Sequence, residues 1–337
     1  MLKYDFFYCK IFFLTVLCYN LNMKEIISLF KIFNRLINPP YDYNFLKSVD
    51  ETDYPFFIKK LYKYNNGSNL NLKNPKTFNE KIQWLKLYDR TPIKTTLTDK
   101  ILVRDWIRDK IGDAYLKPLL QVCDCFDKID FDSLPNSFII KTNHGCKWHY
   151  KIKDKTEFLN NKKLFKVVNN DFDDWLNKQF HLVGGLELQY KNINPRILIE
   201  PLLLDECNDV PIEYEIFCTN GVPIFFQQIQ YSNPPVCCVW NKKFEIAKIR
   251  FNPKYYYVPL QVQNTLIEAI ELSKTLSKDF VFVRVDWLLH KNKIFFNEMT
   301  FTPHSGYYNF SNENADAYLG SLIDIKPLMK GIKNGTV

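Results

Sequence analysis

Residues 281–306 constrain the fold of this chain most, because they combine a predicted hairpin with acidic side chains inside apolar runs. Phe280–Leu289 is rich in valine, phenylalanine and tryptophan, which is typical of a buried strand. Ile294–Met299 is predicted to return antiparallel to it after a polar Lys-Asn-Lys turn. Asp286 and Glu298 interrupt the two runs. If the hairpin closes at this turn, we expect the two carboxylates to lie near each other.

Arg284 precedes Asp286 by two residues, so both side chains are expected on the same face of the strand. Two buried carboxylates side by side repel each other unless a cation lies between them. Mg²⁺ suits such a place, because it binds carboxylates and completes its shell with phosphate oxygens. Arg284 would then face those phosphates. Alternation alone is more typical of a half-exposed hairpin whose acids face water, so the residues leave both interpretations open.

Composition narrows the class of protein. A chain of 337 residues can hold one domain with subdomains or two domains. The net charge of +8 comes from scattered basic residues, which suits an anionic ligand or a membrane surface and does not favour nucleic acid. Nine cysteines form no Cys-x-x-Cys pair, which disfavours a zinc cluster and fits the reducing cytoplasm. With ten glycines and no glycine-rich phosphate loop, any nucleotide must be held by other means.

The first 40 residues are predicted to form a separate apolar and basic helical segment. The apolar stretch 6–21 is too short to span a bilayer and lacks a small-residue cleavage site. Met23 is a plausible true start, and it opens a basic amphipathic helix that ends before Pro39. This helix is expected either to rest on a membrane surface or to pack on the body of the protein, and both alternatives stay open.

The remaining chain alternates helical and strand patterns. Thr77 and Glu80 have the spacing of a capping box at the start of a helix, and Gly112 is predicted to end the next one. The pattern also predicts a hairpin over 138–152 that turns near Gly145, one helix over 156–182, a strand over Arg196–Leu204, a hairpin around Asn220-Gly221, and a helix over 258–276.

From about residue 72 to residue 323, the order of several motifs resembles the ATP-grasp superfamily, and within it the TupA-like group of cell-surface polysaccharide loci. The motifs are NLKNPKTFNEKIQWLKLYDR, TDKILVRDWI, FIIKTNHG, QYKNINPRILIEPLL, FVRVD and NEMTFTPHSG. The resemblance implies an α+β ATP-grasp fold in which two α+β subdomains clasp the nucleotide. It divides the chain into a helical N-terminal region at 41–118, a small subdomain with a flexible phosphate loop at 119–199, and a core subdomain with the metal site at 200–337.

The resemblance also implies an ATP site. Lys100 and Lys141 would bind the α- and β-phosphates, although Lys100 is equally well explained as a solvated helix lysine. At the hinge, the Glu200 carbonyl and the Leu202 amide would meet the adenine edge, and Leu203 would pack on the ring. A further acid, Glu213, stands where the family presents a carboxylate to the ribose, but an exposed strand glutamate needs no such explanation.

The catalytic centre implied by the resemblance combines a metal with basic residues. Asp286 and Glu298 would be the Mg²⁺ ligands, and Thr300 stands where many relatives have asparagine. Arg284 and Lys141 would neutralise the transferred phosphoryl group. His144, in the recurrent Asn-His-Gly tip, would contact phosphate or substrate, whereas many loop histidines have no such role.

The implied reaction is ATP-dependent carboxylate–amine ligation through an acyl phosphate, with an anionic sugar or polysaccharide precursor as acceptor and an amine donor that the sequence does not identify. Residues 302–306 would line the acceptor side, and the loop 142–149 would close over the site. We expect the enzyme in the cytoplasm, where the N-terminal helix would meet the inner face of the membrane if it binds one.

Three departures from the family pattern leave room for other functions. The loop tip is the bulky Cys146-Lys147-Trp148-His149 instead of small residues, Glu215 replaces a frequent basic residue, and Pro201 replaces the usual basic residue beside the hinge. A nucleotide-binding protein without turnover is therefore one alternative. A nucleotide-sugar glycosyltransferase is the other, but its usual Asp-x-Asp ends an apolar strand, and neither Asp130-Phe131-Asp132 nor Asp171-Phe172-Asp173 does so convincingly.

Overall fold

The computed structural model describes residues 41–204, 211–310 and 312–333, so the predicted N-terminal helix and the choice of Met23 lie outside the described residues. Two compact units divide the chain at Asn69 and Leu70. The described part of the first unit holds helix α1 (Tyr43–Lys47), a 3₁₀ turn and helix α2 (Tyr54–Asn66). Helix α2 ends at Gly67, whose φ of 73° suits a residue without a β-carbon.

The second unit contains helices and two antiparallel sheets. Its helices are α3 (Phe78–Tyr88), α4 (Pro92–Thr98), α5 (Val103–Ile111), α6 (Lys155–Asn160), α7 (Lys162–Leu176), α8 (Phe180–Val183), α9 (Asn264–Ser277), α10 (Glu313–Ser321) and α11 (Lys326–Lys333). Its strands are β1 (Gln121–Cys123), β2 (Phe138–Thr142), β3 (His149–Ile152), β4 (Ile197–Pro201), β5 (Ile212–Thr219), β6 (Val222–Gln230), β7 (Val236–Asn241), β8 (Tyr256–Tyr257), β9 (Val283–His290) and β10 (Lys293–Thr300).

The smaller sheet has the order β1–β4–β2–β3, and each neighbouring pair is antiparallel. Its buried side packs on α7 through an aromatic core that includes Phe126, Phe138 and Phe172. The opposite side of β2 and β3 carries Ile139, Lys141, His149 and Lys151, because alternate residues of a strand share a face.

The larger sheet has the order β10–β9–β5–β6–β7–β8, antiparallel except for the parallel pair β7–β8. It is apolar on both faces. One face packs on α9, where the buried Trp287 indole donates a hydrogen bond to Ser273 Oγ at 2.9 Å. The other packs on α3 and α10, and buried polar side chains cross part of this face. Buried polar side chains are unusual on a largely apolar sheet face, so this region is a candidate functional site.

Several local predictions are confirmed. The Thr77 side chain accepts from the Glu80 amide while Glu80 reaches back to Thr77, so the capping box is present. Helix α5 ends at Gly112 as expected, although it begins only at Val103, because residues 99–102 form a turn.

Two helix predictions were wrong in extent. The single helix expected over 156–182 is three helices, because Asn161 starts α7 with its own side-chain cap and residues 177–179 leave the helical path. The helix expected from Val258 begins at Asn264, after an extended segment. Both sequences are apolar enough to suggest a helix, and only the local capping geometry separates the pieces.

The described helices include none that is both long and apolar enough to cross a lipid bilayer. The mixture of helices with two largely antiparallel sheets gives the protein the predicted α+β class. The proposed boundaries at residues 118 and 199 stay a prediction.

Candidate active site

A cavity of about 370 Å³ lies between the polar faces of the two sheets. On one side it is lined by alternate residues of β2 and β3, and on the other by residues of β5, β9 and β10. The lining residues named in the sequence analysis as ATP or metal ligands are Lys100, Lys141, Leu202, Leu203, Glu213 and Glu298.

One side of the cavity holds a cluster of cations around a single acid. Glu200 is 3% exposed, and its Oε2 atom is 2.7 Å from Lys141 Nζ and 2.9 Å from Lys117 Nζ. Arg104 adds a third cation at 3.4 Å from Oε1. Burial alone would raise the pKa of Glu200, but the ammonium groups of Lys117 and Lys141 lower it to about 2. The cluster therefore carries more positive than negative charge beside the cavity.

Lys100 and the loop after β2 form the next wall. Lys100 Nζ donates to the carbonyl of Gly145 at 2.6 Å, and burial lowers the pKa of Lys100. Asn143 holds the base of the loop, since its amide nitrogen donates to Asp99 Oδ2 and to the carbonyl of Asn194, both at 2.9 Å. These contacts bind the loop to the segment before α5 and to the segment before β4.

Trp148 fixes the tip of this loop. Its indole lies parallel to that of Trp175 in α7, with ring centres 6.1 Å apart, and makes an edge contact with Phe180. A β-carbon on Gly145 would lie 2.3 Å from the Trp148 ring, so this close approach requires glycine. Of the bulky loop tip, the Trp148 side chain thus packs against α7 and α8.

His144 turns away from the cavity. Its ring is 2% exposed, Nε2 is 3.1 Å from the carbonyl of Trp175, and burial lowers its pKa. Because His144 does not line the cavity, the described geometry gives it an anchoring contact with α7. Its predicted contact with phosphate or substrate stays a prediction.

The hinge after β4 supplies the apolar part of the cavity. Leu202 and Leu203 line it, together with Ile139 and Leu288 from the two facing sheets. At the same end, Tyr231 Oη donates to Glu213 Oε2. Loss of solvent and repulsion from Glu215 raise the pKa of Glu213 to about 7.

The polar region of the larger sheet is a row of four side chains across four strands. Gln227 of β6 pairs with Glu215 of β5, Glu215 with Asp286 of β9, and Asp286 with Glu298 of β10. We call Gln227, Glu215, Asp286 and Glu298 the polar row. The last pairing depends on a β-bulge between Phe296 and Glu298, which gives Asp286 its glutamate partner. Without this extra residue, the turn register would place Asn297 opposite Asp286.

Arg284 lies beside the polar row and holds it together. Its Nε and Nη2 donate to the two oxygens of Asp286 at 2.7 and 2.6 Å, which is a bidentate pair. Nη1 is 3.0 Å from Glu215 Oε1, and Nη2 is 3.9 Å from Glu298 Oε1. Thr300 Oγ1 donates to Asp286 Oδ2 at 3.1 Å or to Glu298 Oε1 at 3.0 Å.

The charges of this centre do not balance. Three carboxylates of the polar row share one guanidinium, and Asp286 is fully buried. Loss of solvent raises the pKa of Glu215 and of Asp286, and Arg284 opposes that rise in both. Oxygens of Glu213, Glu215 and Asp286 lie within 4.8 Å of one another. An oxygen-rich, electron-rich set of this kind fits a hard divalent cation such as Mg²⁺.

The segment after β10 forms a left-handed turn beside this centre. His304 and Ser305 have φ values of 48° and 53°, which non-glycine residues rarely adopt. Lys86 of α3 holds the turn by donating to the carbonyl and hydroxyl of Ser305 at 3.0 and 2.9 Å. The exposed His304 ring lies 4.5 Å from the ring of Tyr308, whose hydroxyl accepts from Arg284 Nη1 at 3.4 Å. Strained turns held this firmly are frequent at functional sites.

Sequence reasoning missed Lys117, Arg104 and Tyr231. Lys117 carried a signal, because a lysine inside the apolar run Leu116–Leu120 needs a buried partner. Arg104 and Tyr231 carried none, since an arginine on an amphipathic helix and a tyrosine after a strand are ordinary. The two Asp-x-Asp candidates are not at strand ends. Residues 130–132 follow a 3₁₀ turn, and residues 171–173 lie inside α7.

Comparison with solved structures returns several ligases. D-alanine–D-alanine ligase from Bacillus anthracis is 12% identical, with 72% of this chain and 67% of that chain covered and a TM-score of 0.42. The ATP-grasp ligase PsnB, with a phosphomimetic variant of its minimal precursor, Mg and ADP, is 10% identical, with 76% and 68% covered and a TM-score of 0.38. D-alanine–D-alanine ligase from Helicobacter pylori is 15% identical, with 76% and 69% covered and a TM-score of 0.37.

No curated protein matches the sequence significantly. The sequence model of one family, the TupA-like ATP-grasp proteins, matches residues 80–324, which include both sheets and every residue of the candidate site. The α+β ATP-grasp fold expected from the sequence is thereby confirmed. The chain belongs to the TupA-like ATP-grasp family.

Proposed function

We propose that this protein is an ATP-dependent carboxylate–amine ligase of cell-surface polysaccharide biosynthesis. Its membership of an ATP-grasp ligase family supports ATP-dependent ligation in general. One observation carries the proposal further. A single cavity has cations on one side, Lys100, Lys117 and Lys141, and the acidic residue Glu298 on the other. Such polarity is complementary to a nucleoside triphosphate bound with a divalent cation.

In this proposal, the lysines of the cavity bind the phosphates of ATP. Lys141 approaches the α- and β-phosphates from the smaller sheet, where its ion pair with Glu200 orients it, and Lys100 approaches them from the turn before α5. The adenine lies at the hinge between Leu202 and Leu203, with Ile139 as an apolar wall. The pair of Glu213 and Tyr231 accepts the ribose hydroxyls.

Asp286, Glu298 and Thr300 would hold Mg²⁺, which when bound neutralises the charge of the β- and γ-phosphates. Arg284 contacts all three of these residues, so its guanidinium would lie beside a γ-phosphate bound to the metal. The residues present therefore fit the cofactors that the family implies.

The proposed reaction has two displacements. A carboxylate oxygen of the acceptor attacks the γ-phosphorus, the bond to the β–γ bridging oxygen breaks, and ADP leaves with that electron pair. The nitrogen of an amine then attacks the carbonyl carbon of the acyl phosphate, phosphate leaves, and the nitrogen loses a proton, which gives an amide. Arg284 and Lys141 stabilise the charge on the transferred group. The loop 142–148, packed through Trp148, excludes the water that would hydrolyse the acyl phosphate.

We further propose an anionic sugar or polysaccharide precursor as the carboxylate substrate. The net charge of +8 and the exposed Lys147 in the cavity lining support an anionic acceptor. The turn at residues 302–306 is the proposed acceptor wall, because it lies beside Tyr308 and Arg284. ATP as substrate and the unpatterned cysteines support a cytoplasmic location.

The test is ADP release with ATP, Mg²⁺, a panel of uronic acids and acidic sugar nucleotides, and candidate amines. Hydroxylamine replaces the amine in a parallel assay, because it converts an acyl phosphate into a hydroxamate. We expect acceptor-dependent ADP and hydroxamate from the wild type, neither from Asp286→Asn, and both from Asp124→Asn, whose exposed carboxylate pairs with the exposed Lys128. Thermal stabilisation by a UDP-sugar but not by ATP would favour a glycosyltransferase, and ATP binding without any ADP release would favour a binding protein.

A further inference from the structure

Glu215 is a buried acid that the proposed chemistry does not use. It is 7% exposed and occupies the middle of the polar row, between Gln227 and Asp286. Its Oε1 is 3.0 Å from Arg284 Nη1, and its Oε2 accepts a hydrogen bond from Gln227 Nε2. Both carboxylate oxygens therefore have a protein partner. A buried carboxylate with a partner on each oxygen has a fixed orientation, so it can position a neighbouring side chain.

Arg284 is shared between Glu215 and Asp286. Its bidentate hydrogen bonds occupy both oxygens of Asp286, and these are the oxygens that a divalent cation on Asp286 would need. Arg284 and the cation therefore compete for the same acid. Once displaced, the guanidinium would be a buried charge without a full counterion, which is unfavourable unless another carboxylate remains.

We infer that Glu215 is a positioning residue that retains Arg284 when Asp286 exchanges this arginine for a divalent cation. The inference rests on the proposed Mg²⁺–ATP site. The neighbouring contacts support it, because Phe217 lies under the guanidinium at 5.7 Å and Tyr308 Oη accepts from Nη1, so the side chain can stay in place while its Asp286 partner is replaced. Glu215 thereby keeps the Arg284 guanidinium facing the position of the γ-phosphate.

A direct ligand role is the alternative for Glu215, since its oxygens lie close to those of Glu213 and Asp286. Both oxygens of Glu215 already accept from protein donors, Arg284 and Gln227, and the Arg284 contact is the one on which the positioning role depends. The two roles differ in one respect. A positioning residue affects Mg²⁺ binding only through Arg284, whereas a ligand affects Mg²⁺ binding whether or not Arg284 is present.

Glu215→Gln removes the charge with little change of shape. Without the charge of Glu215, Arg284 binds Asp286 more tightly, so Mg²⁺ has to displace a more stable Arg284–Asp286 pair. We expect the Mg²⁺ concentration for half-maximal ATP binding to rise about tenfold, a typical effect of one charged hydrogen-bonded pair. ATP affinity without Mg²⁺ should not fall, because an acid near the phosphates has been removed. A merely structural defect would weaken both.

The experiment is equilibrium binding of a non-hydrolysable ATP analogue over a Mg²⁺ series to the full chain, with Glu215→Gln, Glu215→Asp, Arg284→Gln and the Glu215→Gln/Arg284→Gln double variant. We expect partial recovery in Glu215→Asp and no further shift when Glu215→Gln is added to Arg284→Gln. A shift of the same size in both backgrounds would overturn the inference in favour of a direct ligand.

Two further outcomes separate this inference from the proposed function. If the wild type shows no Mg²⁺-dependent nucleotide binding, the proposed function fails and the inference fails with it. If the wild type binds and Glu215→Gln has an unchanged Mg²⁺ requirement, the inference alone is overturned. Should Glu215→Gln not fold, Glu215→Asp takes its place, because it keeps the charge but shortens its reach to Arg284, and an unaltered Mg²⁺ requirement there would overturn the inference.

Discussion

Lys141 and Glu200 form an ion pair of 2.7 Å across the adjacent strands β2 and β4. Ile139 is the direct partner of Glu200 in the ladder, so Lys141 reaches it diagonally on the same face. Lys117 and Arg104 approach the same carboxylate from outside the sheet. The Glu200 side chain thus holds the cations of the cavity in place, and this role is separate from the predicted contact of its backbone carbonyl with adenine.

The pH dependence of stability should reveal this role of Glu200. Its pKa of about 2 in the folded protein lies below the ordinary value of 4.5, so its stabilising effect is complete above pH 4.5 and is lost as the pH falls towards 2. The shift corresponds to about 3 kcal/mol. We therefore expect Glu200→Gln to be less stable than the wild type by about 3 kcal/mol at pH 6, with the difference shrinking below pH 4.5. Urea unfolding between pH 6 and pH 3 measures it, and a difference independent of pH would contradict the assignment.

Replacing Lys117 should weaken nucleotide binding. Lys117→Met removes one of three cations around Glu200 and one cavity-lining charge, while Lys141 still neutralises the acid. We expect ATP affinity to fall about tenfold, as for one lost phosphate contact of a buried cation. Lys128→Met is the matched control, because Lys128 is exposed, pairs with the exposed Asp124 and is not among the residues that line the cavity. Isothermal titration calorimetry measures both, and equal affinities in the two variants would exclude Lys117 from the site.

His304 offers a way to separate backbone strain from function. Alanine at this left-handed position should cost about 1 kcal/mol of unfolding free energy, whereas asparagine, which tolerates this conformation, should cost less than about 0.5 kcal/mol. Both variants lose the ring that packs on Tyr308. If the turn is the acceptor wall, acceptor-dependent ADP release falls equally in both, and ATP binding does not change. Normal turnover in His304→Asn would assign the turn a structural role alone.

Trp148→Leu should loosen the phosphate loop. The change removes the parallel contact with Trp175 and the edge contact with Phe180, at a cost of about 1 to 2 kcal/mol. Lys147 is exposed next to it, so we expect trypsin to cleave there faster than in the wild type, while cleavage after the exposed Lys128 keeps its rate as an internal control. Peptide mapping by mass spectrometry distinguishes the two sites. An unchanged rate at Lys147 would mean that other contacts hold the loop.

The sequence predicts the local elements of the site well, because they depend on short-range patterns. Period-two alternation and the Lys291-Asn292 turn predict the hairpin of β9 and β10, and the structure pairs Asp286 with Glu298 across it. The bulge that makes this pairing possible has no marker in the sequence, since Asn297 is an ordinary strand residue there. The closeness of the acids was predictable, but the register shift that produces it was not.

Long-range contacts account for what the sequence did not predict. The sequence marked Glu215 only as an acid in place of a frequent basic residue, and its pairing with Arg284 depends on which strand lies beside β9. Strand order in a sheet is set by the whole core, so no local pattern encodes it. The same holds for His144, whose contact with Trp175 joins residues 31 positions apart.

The parallel indoles of Trp148 and Trp175 give the protein an intrinsic optical reporter. Trp148 lines the cavity and Trp175 is stacked on its far side, so an occupant of the cavity alters the surroundings of one ring and, through it, the emission of the pair. Of the six tryptophans in the chain, Trp148 is the one in the cavity lining, so subtraction of a Trp148→Phe spectrum isolates the signal. Binding in the cavity can then be followed by fluorescence in unlabelled protein, even before the acceptor and the amine donor are identified.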